Sequence, residues 1–238
     1  MLRVACAAVL GVLAAASPAA ASERWGPVED LYRPKVVSRW AFVNHVVTAR
    51  AVPYWDGRHV GRLTTKTEDG TDELVLILAR TRDREGRRWF RVSLPMLPNN
   101  RTGWVPGSAL GDVGKVRTWI RIDRRRLRLT LLRSGRVVMR VRIGVGRSMW
   151  PTPSGRYYVR NRLSGRRLGL IYGPLAFGTS AHSTVLTDWP GGGVIGIHGT
   201  NQPGLLPGRV SHGCIRLRNR DILRLGRRVR LGTPISIR

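Results

Sequence analysis

Between residues 196 and 217 the chain reads GIHGTNQPGLLPGRVSHGCIRL, a stretch rich in histidine and glycine that ends around a cysteine. In it, His198 is followed by the block Ser211-His212-Gly213-Cys214. A thiol is weakly ionised at neutral pH and its thiolate is the nucleophile, so an imidazole that accepts the proton activates it. Gly213 lets a substrate approach the backbone, and adjacent N–H groups can stabilise an oxyanion. The stretch therefore predicts a cysteine nucleophile with a histidine base.

Cys214 has two other interpretations. Free cysteine is often a small buried hydrophobe. The other cysteine, Cys6, lies in a predicted signal peptide that is described below, so the exported chain would have no partner for a disulfide with Cys214. Two histidines close in sequence favour a working thiol over an incidental one. His198, His212 and Cys214 are also zinc-ligand types, but His-x-Cys is a poor chelate spacing and no carboxylate lies nearby in the sequence. No metal is therefore predicted.

The first residues, 1–21, are typical of a secretory signal peptide. Arg3 provides a positive start, Val4–Ala16 an apolar core, and Ala19–Ala21 a small-residue cleavage site; Cys6 would leave with this peptide. No apolar run reaches the roughly 18 residues that a membrane-spanning helix needs. We therefore expect export to the periplasm, the cell wall or the medium.

The charge of the chain is strongly positive and unevenly distributed. Its 42 Lys and Arg against 14 Asp and Glu give a formal net charge of +28. Residues 115–238 hold 26 of the basic residues and three of the acidic ones, Asp123, Asp188 and Asp221. Such a field favours an anionic partner such as nucleic acid, a membrane or an acidic polymer. Export argues against nucleic acid, and 42% hydrophobic residues argue against disorder.

Residues 36–113 are predicted to form a small all-β domain, because short apolar runs alternate with turn-rich segments. The candidate strands are Val46–Ala51, Gly61–Thr65, Leu74–Thr81, Arg88–Val92 and Gly103–Pro106. Residues 22–35 before them lack sustained periodicity, which is typical of a linker or a docking strand.

Three segments of this first domain resemble bacterial SH3-like domains. They are VTARAVP at 47–53, REGRRWFRV at 84–92 and RTGWVPGSAL at 101–110. The resemblance implies a small β-barrel that binds or positions, often on cell-wall material, and that provides no catalytic residues.

Residues 115–238 are predicted to form a second, mainly β domain in which Arg alternates with aliphatic residues. Period two places the aliphatic side chains on a core face and the guanidinium groups in solvent. The expected elements are strands at Trp119–Ile122, Leu127–Leu131 and Val137–Val145, a hairpin turn at Arg133–Arg136, a helix at Arg218–Arg228 that buries Ile222, Leu223 and Leu225, and a closing strand at Gly232–Ile237.

This second domain, from Lys115 to Arg238, resembles the catalytic domain of L,D-transpeptidases. The family signature is a histidine followed by Ser/Thr-His-Gly-Cys, and the runs Ile-His-Gly-Thr and Ser-His-Gly-Cys-Ile-Arg-Leu are both present. Pro151–Gly155 resembles the family's Thr-Pro-x-Gly turn, and Tyr172–Pro174 resembles its loop facing the site. The resemblance implies a β-sandwich or barrel with a short helix.

The resemblance also implies roles for single residues. Cys214 would attack the bond between the third residue and the terminal D-Ala of a peptidoglycan tetrapeptide stem, His198 would move the proton, and the Gly199 carbonyl would orient His198. The remaining implied residues are Ser211, His212 and Gly213 for shaping the site and its oxyanion hole, and Tyr172, Asn201 and Arg216 for binding substrate.

No cofactor is implied, and the expected partners are stem peptides of an anionic cell wall, not nucleic acid. Arg216 stands two residues after the cysteine, where some members carry Asn, and it could hold a peptide carboxylate through two hydrogen bonds. The alternatives are hydrolysis of the same bond by an L,D-carboxypeptidase, a non-enzymatic wall-binding protein, and an extracellular DNA-binding protein. Against DNA binding, the basic half of the chain contains no helix suited to a nucleic-acid groove and no run of aromatic residues that could stack on bases.

Overall fold

The computed structural model describes residues 24–187 and 193–238, and in these ranges the protein is two β-sheets with short helical segments. The prediction of a mainly β protein is therefore confirmed. The predicted signal peptide and Asp188 lie outside the described residues. Within the described ranges, no helix is both long and apolar enough to cross a membrane.

The first sheet is antiparallel and follows the order β4-β3-β7-β6-β5-β2-β8, with β1 added beside β5. Its strands are β1 (Glu29–Asp30), β2 (Ser38–Phe42), β3 (Val47–Arg50), β4 (His59–Leu63), β5 (Leu74–Arg82), β6 (Arg88–Ser93), β7 (Thr102–Pro106) and β8 (Gly114–Val116). All five expected strands are present, and β1 shows that part of segment 22–35 pairs with the sheet. The SH3-like character of this domain stays a prediction.

The second sheet is mixed and follows the order β11-β10-β9-β18-β13-β14-β15-β17-β12-β16. Its strands are β9 (Thr118–Asp123), β10 (Arg128–Arg133), β11 (Arg136–Arg142), β12 (Gly144–Gly146), β13 (Gly155–Ser164), β14 (Leu175–His182), β15 (Val194–His198), β16 (Gly208–Ser211), β17 (Ile215–Arg216) and β18 (Pro234–Ile237). The helices are α1 (Gly165–Leu168) and α2 (Asn219–Gly226), and single 3-10 turns occupy Gly107–Ala109, Leu170–Tyr172 and Pro203–Leu205.

The alternating Arg pattern forms strands β9 and β10, but the predicted strand Val137–Val145 is wrong, because the chain leaves it at Ile143 and forms β11 and β12 in different parts of the sheet. On β10, Leu129 and Leu131 are fully buried, while Thr130 between them is partly exposed. A tight turn joins β10 to the edge strand β11, with positive φ at Ser134 and Gly135. On β11, Arg140 and Arg142 face solvent, and charge on an edge strand discourages pairing with another chain.

Helix α2 buries a narrower face than expected. Ile222 and Leu225 are fully buried, whereas Leu223 is 45% exposed, so its predicted burial is wrong. The reason is the helical period, because residues three apart share a face and the residue immediately after Ile222 points elsewhere.

The division between the sheets lies at Arg117. Strand β8 pairs with β2 and so belongs to the first sheet, and β9 begins the second sheet at Thr118. The sequence-based boundary near Gly114 placed β8 outside the first sheet, because nothing in its composition shows which sheet it joins.

A loop of the first domain, residues 64–73 (the docking loop), packs against the second sheet. The guanidinium of Arg160 on β13 is buried and donates to both carboxylate oxygens of Glu73, and to Glu68 Oε2 at 2.9 Å. Beside this contact, the Tyr158 hydroxyl lies 3.2 Å from the Leu74 carbonyl oxygen. Buried polar groups need such partners, so the two domains form one continuous hydrogen-bonded contact.

Candidate active site

A cavity of about 330 Å³ lies over strands β14 and β15, near the end of the second sheet. Its wall includes Tyr172, Gly196, His198, His212 and Cys214. Strand β17 runs parallel to β15 with Ile215 opposite Ile197, so the chain directly before Ile215 is brought beside the end of β15. The topology thus brings two distant parts of the sequence, around 198 and 214, into one cavity.

His198 is the last residue of β15, and it is 3% exposed. Its Nδ1 lies 2.6 Å from the Gly199 carbonyl oxygen. A carbonyl only accepts hydrogen bonds, so Nδ1 carries the proton and Nε2 keeps its lone pair. Burial lowers the pKa of His198 to about 4; the Gly199 contact opposes this shift and the charge of Arg216 adds to it. His198 is therefore a neutral base at neutral pH.

The loop after His198 depends on a residue that sequence reasoning missed. A side chain at Gly199 would begin 2.5 Å from Asn219 Oδ1 and 2.9 Å from Pro174, so glycine is required by contact. Asn219 Oδ1 accepts the Thr200 N–H at 2.9 Å. Asn219 begins α2 and so fixes the loop that presents the Gly199 carbonyl to His198. Its sequence context, Arg218-Asn219-Arg220, contains no signal of this role.

Cys214 lies in the tight connection between β16 and β17. Gly213 has a φ of +121°, a conformation that favours glycine. The Cys214 Sγ accepts the Gly196 N–H at 3.3 Å. A Cβ on Gly196 would lie 3.8 Å from Sγ and 3.7 Å from His198 Cδ2, so the thiol and the imidazole flank the same glycine. Burial raises the pKa of the Cys214 thiol, although the Gly196 hydrogen bond and Arg216 oppose this shift.

Two hydroxyl groups hold the cysteine connection. Ser211 Oγ donates to the Cys214 carbonyl at 2.6 Å and accepts the Gly213 N–H at 3.1 Å. Thr152, in the predicted Thr-Pro-x-Gly turn, donates to the Gly213 carbonyl at 2.6 Å and accepts the Gly146 N–H. Ser211 therefore fixes the backbone on both sides of the bond between Gly213 and Cys214. The Gly213 N–H was expected to stabilise an oxyanion, but it is occupied by Ser211 in this structure.

The two reactive side chains are neutral at rest. A lowered pKa at His198 and a raised pKa at Cys214 both favour thiol and imidazole over thiolate and imidazolium. The physical cause is burial, which penalises both charged forms.

Comparison with known proteins identifies the domain that carries this pair. A model of the L,D-transpeptidase catalytic domain, named YkuD, matches residues 117–237. The chain belongs to the L,D-transpeptidase family. It is 35% identical over 109 residues to the L,D-transpeptidase YkuD of Bacillus subtilis, covering 46% of this chain and 58% of that protein.

Two further comparisons give the extent of the similarity. The chain is 35% identical over 133 residues to the YkuD L,D-transpeptidase of Bacillus licheniformis, covering 56% of this chain and 72% of that one. The catalytic domain of the Enterococcus faecium L,D-transpeptidase, solved by NMR, is 26% identical with a TM-score of 0.38, covering 51% of this chain and 96% of that one. The chain thus spans little more than half the length of the Bacillus subtilis relative.

The other predicted residues of this L,D-transpeptidase domain divide into three groups. His212 and Tyr172 line the cavity; the His212 ring packs 4.2 Å from Trp150, and the Tyr172 ring lies 4.9 Å from that of His198. Arg216 acts on the site by charge, and its Nε is buried with no hydrogen-bond partner among the described residues. Asn201 lies on an exposed bend and is not part of the described cavity wall.

Among residues 24–187 and 193–238, no group of three His, Cys, Asp or Glu side chains is arranged to hold a metal ion.

Proposed function

We propose that this protein is an exported peptidoglycan L,D-transpeptidase that works through a Cys214 thioester. The observation that carries the proposal is that Cys214 Sγ and His198 Cδ2 lie 3.8 Å and 3.7 Å from the position that a Cβ on Gly196 would take, in one cavity. Family membership supports the reaction class, and the tautomer of His198 supplies a base on Nε2.

The first step is acylation of the thiol. Cys214 Sγ attacks the carbonyl carbon between the third residue and the terminal D-Ala of a tetrapeptide stem, while His198 Nε2 takes the thiol proton. The C–N bond then breaks, and the imidazolium returns the proton to the leaving D-Ala amine. Starting from neutral partners, the pair becomes charged only in this transition; the Gly196 N–H and the nearby Arg216 cation stabilise the charge on the sulfur against the penalty of burial.

The second step is transfer to an amine. The amine of a neighbouring stem attacks the thioester carbonyl, the C–S bond breaks, and the amine proton passes through His198 to the sulfur. The products are a crosslinked dimer and the free thiol. If water replaces the amine, the product is a tripeptide, as in an L,D-carboxypeptidase.

The charge of the chain supports an anionic cell wall as its surroundings. Arg216 would hold a carboxylate of the stem, since its buried Nε has no partner among the described residues and a guanidinium binds carboxylates through two parallel bonds. Export by residues 1–21, which are outside the described structure, would place the enzyme in the periplasm or wall, with the first domain positioning it there.

Acid-quenched mass spectrometry of the mature protein with a defined tetrapeptide tests the thioester. The expected result is an added mass equal to the stem without D-Ala, which is absent in Cys214→Ala. The thermal midpoint of the variant checks that it folds. Wild-type protein that gains no mass, or a Cys214→Ala variant that still does, contradicts the proposal. Chromatography of the products then separates dimer from tripeptide.

A further inference from the structure

The active-site cavity has a wall residue that the first domain provides. Asp69, in the docking loop, lines the same cavity as Cys214, His198 and Tyr172. The charge of Asp69 reaches the site. Burial is the main cause of the raised pKa of Tyr172, the Cys214 charge follows, and Asp69 makes a smaller contribution in the same direction. A residue 145 positions before the cysteine in sequence therefore takes part in the electrostatics of the cavity.

The position of Asp69 is fixed by the shape of the docking loop. The Gly70 N–H donates to the Thr67 carbonyl at 2.9 Å and closes a tight turn with Asp69 near its tip. Gly70 has a φ of +74°, and the hydroxyl groups of Thr67 and Thr71 are hydrogen-bonded at 2.8 Å. Asn161 on β13 donates to Asp69 Oδ2 at 2.9 Å. The carboxylate is therefore held against the catalytic domain before any substrate arrives.

Asp69 differs from the other acidic residues of the docking loop in its partners. Glu68 and Glu73 pair with Arg160, and Asp72 pairs with Lys66. Among the described side chains, Asp69 forms no ion pair, and its side-chain partner is the neutral amide of Asn161. Arg167, which lines the same cavity, reaches the backbone carbonyl of Asp69 at 3.5 Å, and the described hydrogen bond on the carboxylate is the one from Asn161.

The catalytic half provides little negative charge of its own. Its described acidic residues are Asp123, which lies near Arg126 and Arg238, and Asp221, which lies near Arg224. The substrate proposed above carries both an amine and a carboxylate. Arg216 suits the carboxylate, and an anionic group in the cavity wall, such as Asp69, suits a cationic amine.

We propose that Asp69 is the residue that binds the ammonium group of the acceptor stem and so favours transfer to an amine over hydrolysis. This inference rests on the proposed function. The ammonium group binds to Asp69, loses one proton to water, and then attacks the thioester carbon. As the C–N bond forms and the C–S bond breaks, its second proton passes through His198 to the sulfur. Asp69 changes no bond itself; it selects and positions the nucleophile.

The test compares three forms of the mature protein: wild type, Asp69→Asn and the control Asp72→Asn. The Asn amide oxygen still accepts the bond from Asn161, so Asp69→Asn removes charge without removing this contact. The control removes the same charge from the same loop at an exposed ion pair. Each protein is given a fixed tetrapeptide donor and increasing concentrations of an amine-bearing stem peptide, and dimer, tripeptide and acyl-enzyme are measured.

For Asp69→Asn we expect a KM for the amine acceptor about tenfold higher than in wild type, the scale of one charge-assisted hydrogen bond. The dimer-to-tripeptide ratio falls at low acceptor concentration, while the acylation rate stays within twofold. The control retains the wild-type KM. An unchanged acceptor KM in Asp69→Asn, or an equal rise in Asp72→Asn, overturns the inference and leaves the thioester chemistry intact. Wild-type protein that forms acyl-enzyme and tripeptide but no dimer also overturns it. Wild-type protein that forms no acyl-enzyme refutes the proposed function, and the inference with it.

Discussion

The active-site stretch around His198 and Cys214 and the docking loop at 64–73 lie on either side of one cavity, yet they are stabilised in opposite ways. The first uses neutral side chains, with a thiol, an imidazole and backbone groups as their partners. The second uses charge, with the buried Arg160 between Glu68 and Glu73.

The difference follows from burial. A buried charge is stable only when an opposite charge and hydrogen bonds compensate it, as they do for Arg160. Near His198 the closest described charge is the cation Arg216, which lowers the pKa of the imidazole and so keeps it uncharged. The active site can therefore hold a base that is ready to accept a proton, and the docking loop can hold an anion that is ready to accept a cation.

The largest effect that we expect comes from replacing the neutral base. His198→Gln should lower the acylation rate by about a hundredfold to ten-thousandfold, the contribution of a positioned general base. Burst kinetics with a tetrapeptide measure it. The matched control is His182→Gln, because His182 is also buried and lies on the neighbouring strand, but near Glu68 of the docking loop. If His182→Gln lost as much acylation activity as His198→Gln, the result would contradict a specific role of His198 as the base.

The second effect concerns the charged contact. Arg160→Met leaves Glu73 buried without its cation and should reduce the free energy of unfolding by about 3–5 kcal/mol, measured by urea denaturation. Arg162→Met is the control, since Arg162 lies on the same strand, is exposed, and donates to the Gly226 carbonyl at 3.2 Å. A loss below about 1 kcal/mol in Arg160→Met would mean that the docking contact does not depend on this ion pair.

The smallest effect is a pH dependence that separates the two regions. His198 has a folded pKa of about 4, below its usual value of 6.5, so the unfolded chain binds more protons between these values. Stability is then full above pH 6.5 and falls by roughly 3 kcal/mol as the pH decreases to about 4. Burial alone would raise the pKa of Glu68, but His182 and Arg160 lower it to about 2, so its contribution is lost only at still lower pH.

Thermal or urea unfolding of wild type and His198→Gln between pH 7.5 and 4 measures this dependence. The variant should have a flatter stability profile across the window, because its amide side chain does not titrate. Parallel profiles for the two proteins would contradict a depressed pKa at His198.

The sequence predicted those parts of the fold that depend on local pattern. Alternation of polar residues with leucine from Arg128 to Leu131 on β10 predicted the burial of Leu129 and Leu131, and Ser134-Gly135 predicted the following turn. Pairing partners were not predictable, because β8 has the composition of a short linker and joins the first sheet only through its register with β2.

The site was predicted where a motif spans it and missed where contact is made across the fold. Cys214 and His198 stand in one recognisable stretch, and Thr152 in a recognisable turn. Asn219 and Asp69 act through the three-dimensional approach of a helix start and a loop tip, and neither has a sequence neighbour that indicates a role. The protonation states were also beyond the sequence, since burial of His198 and Cys214 determines them.

Arg117, the single residue between the two sheets, is the place where a truncation would separate the two domains. A cut there separates the two sheets at one residue. The fragment that begins at Thr118 keeps Arg160 but loses its partner Glu73, and it keeps Tyr158 but loses the Leu74 carbonyl. In the isolated catalytic domain, the apolar and cationic surface around Tyr158 and Arg160 would be exposed to solvent. Adding residues 64–73 as a hairpin would return Glu68 and Glu73 to Arg160 with far less chain than the whole first domain, but it would leave Tyr158 without the Leu74 carbonyl.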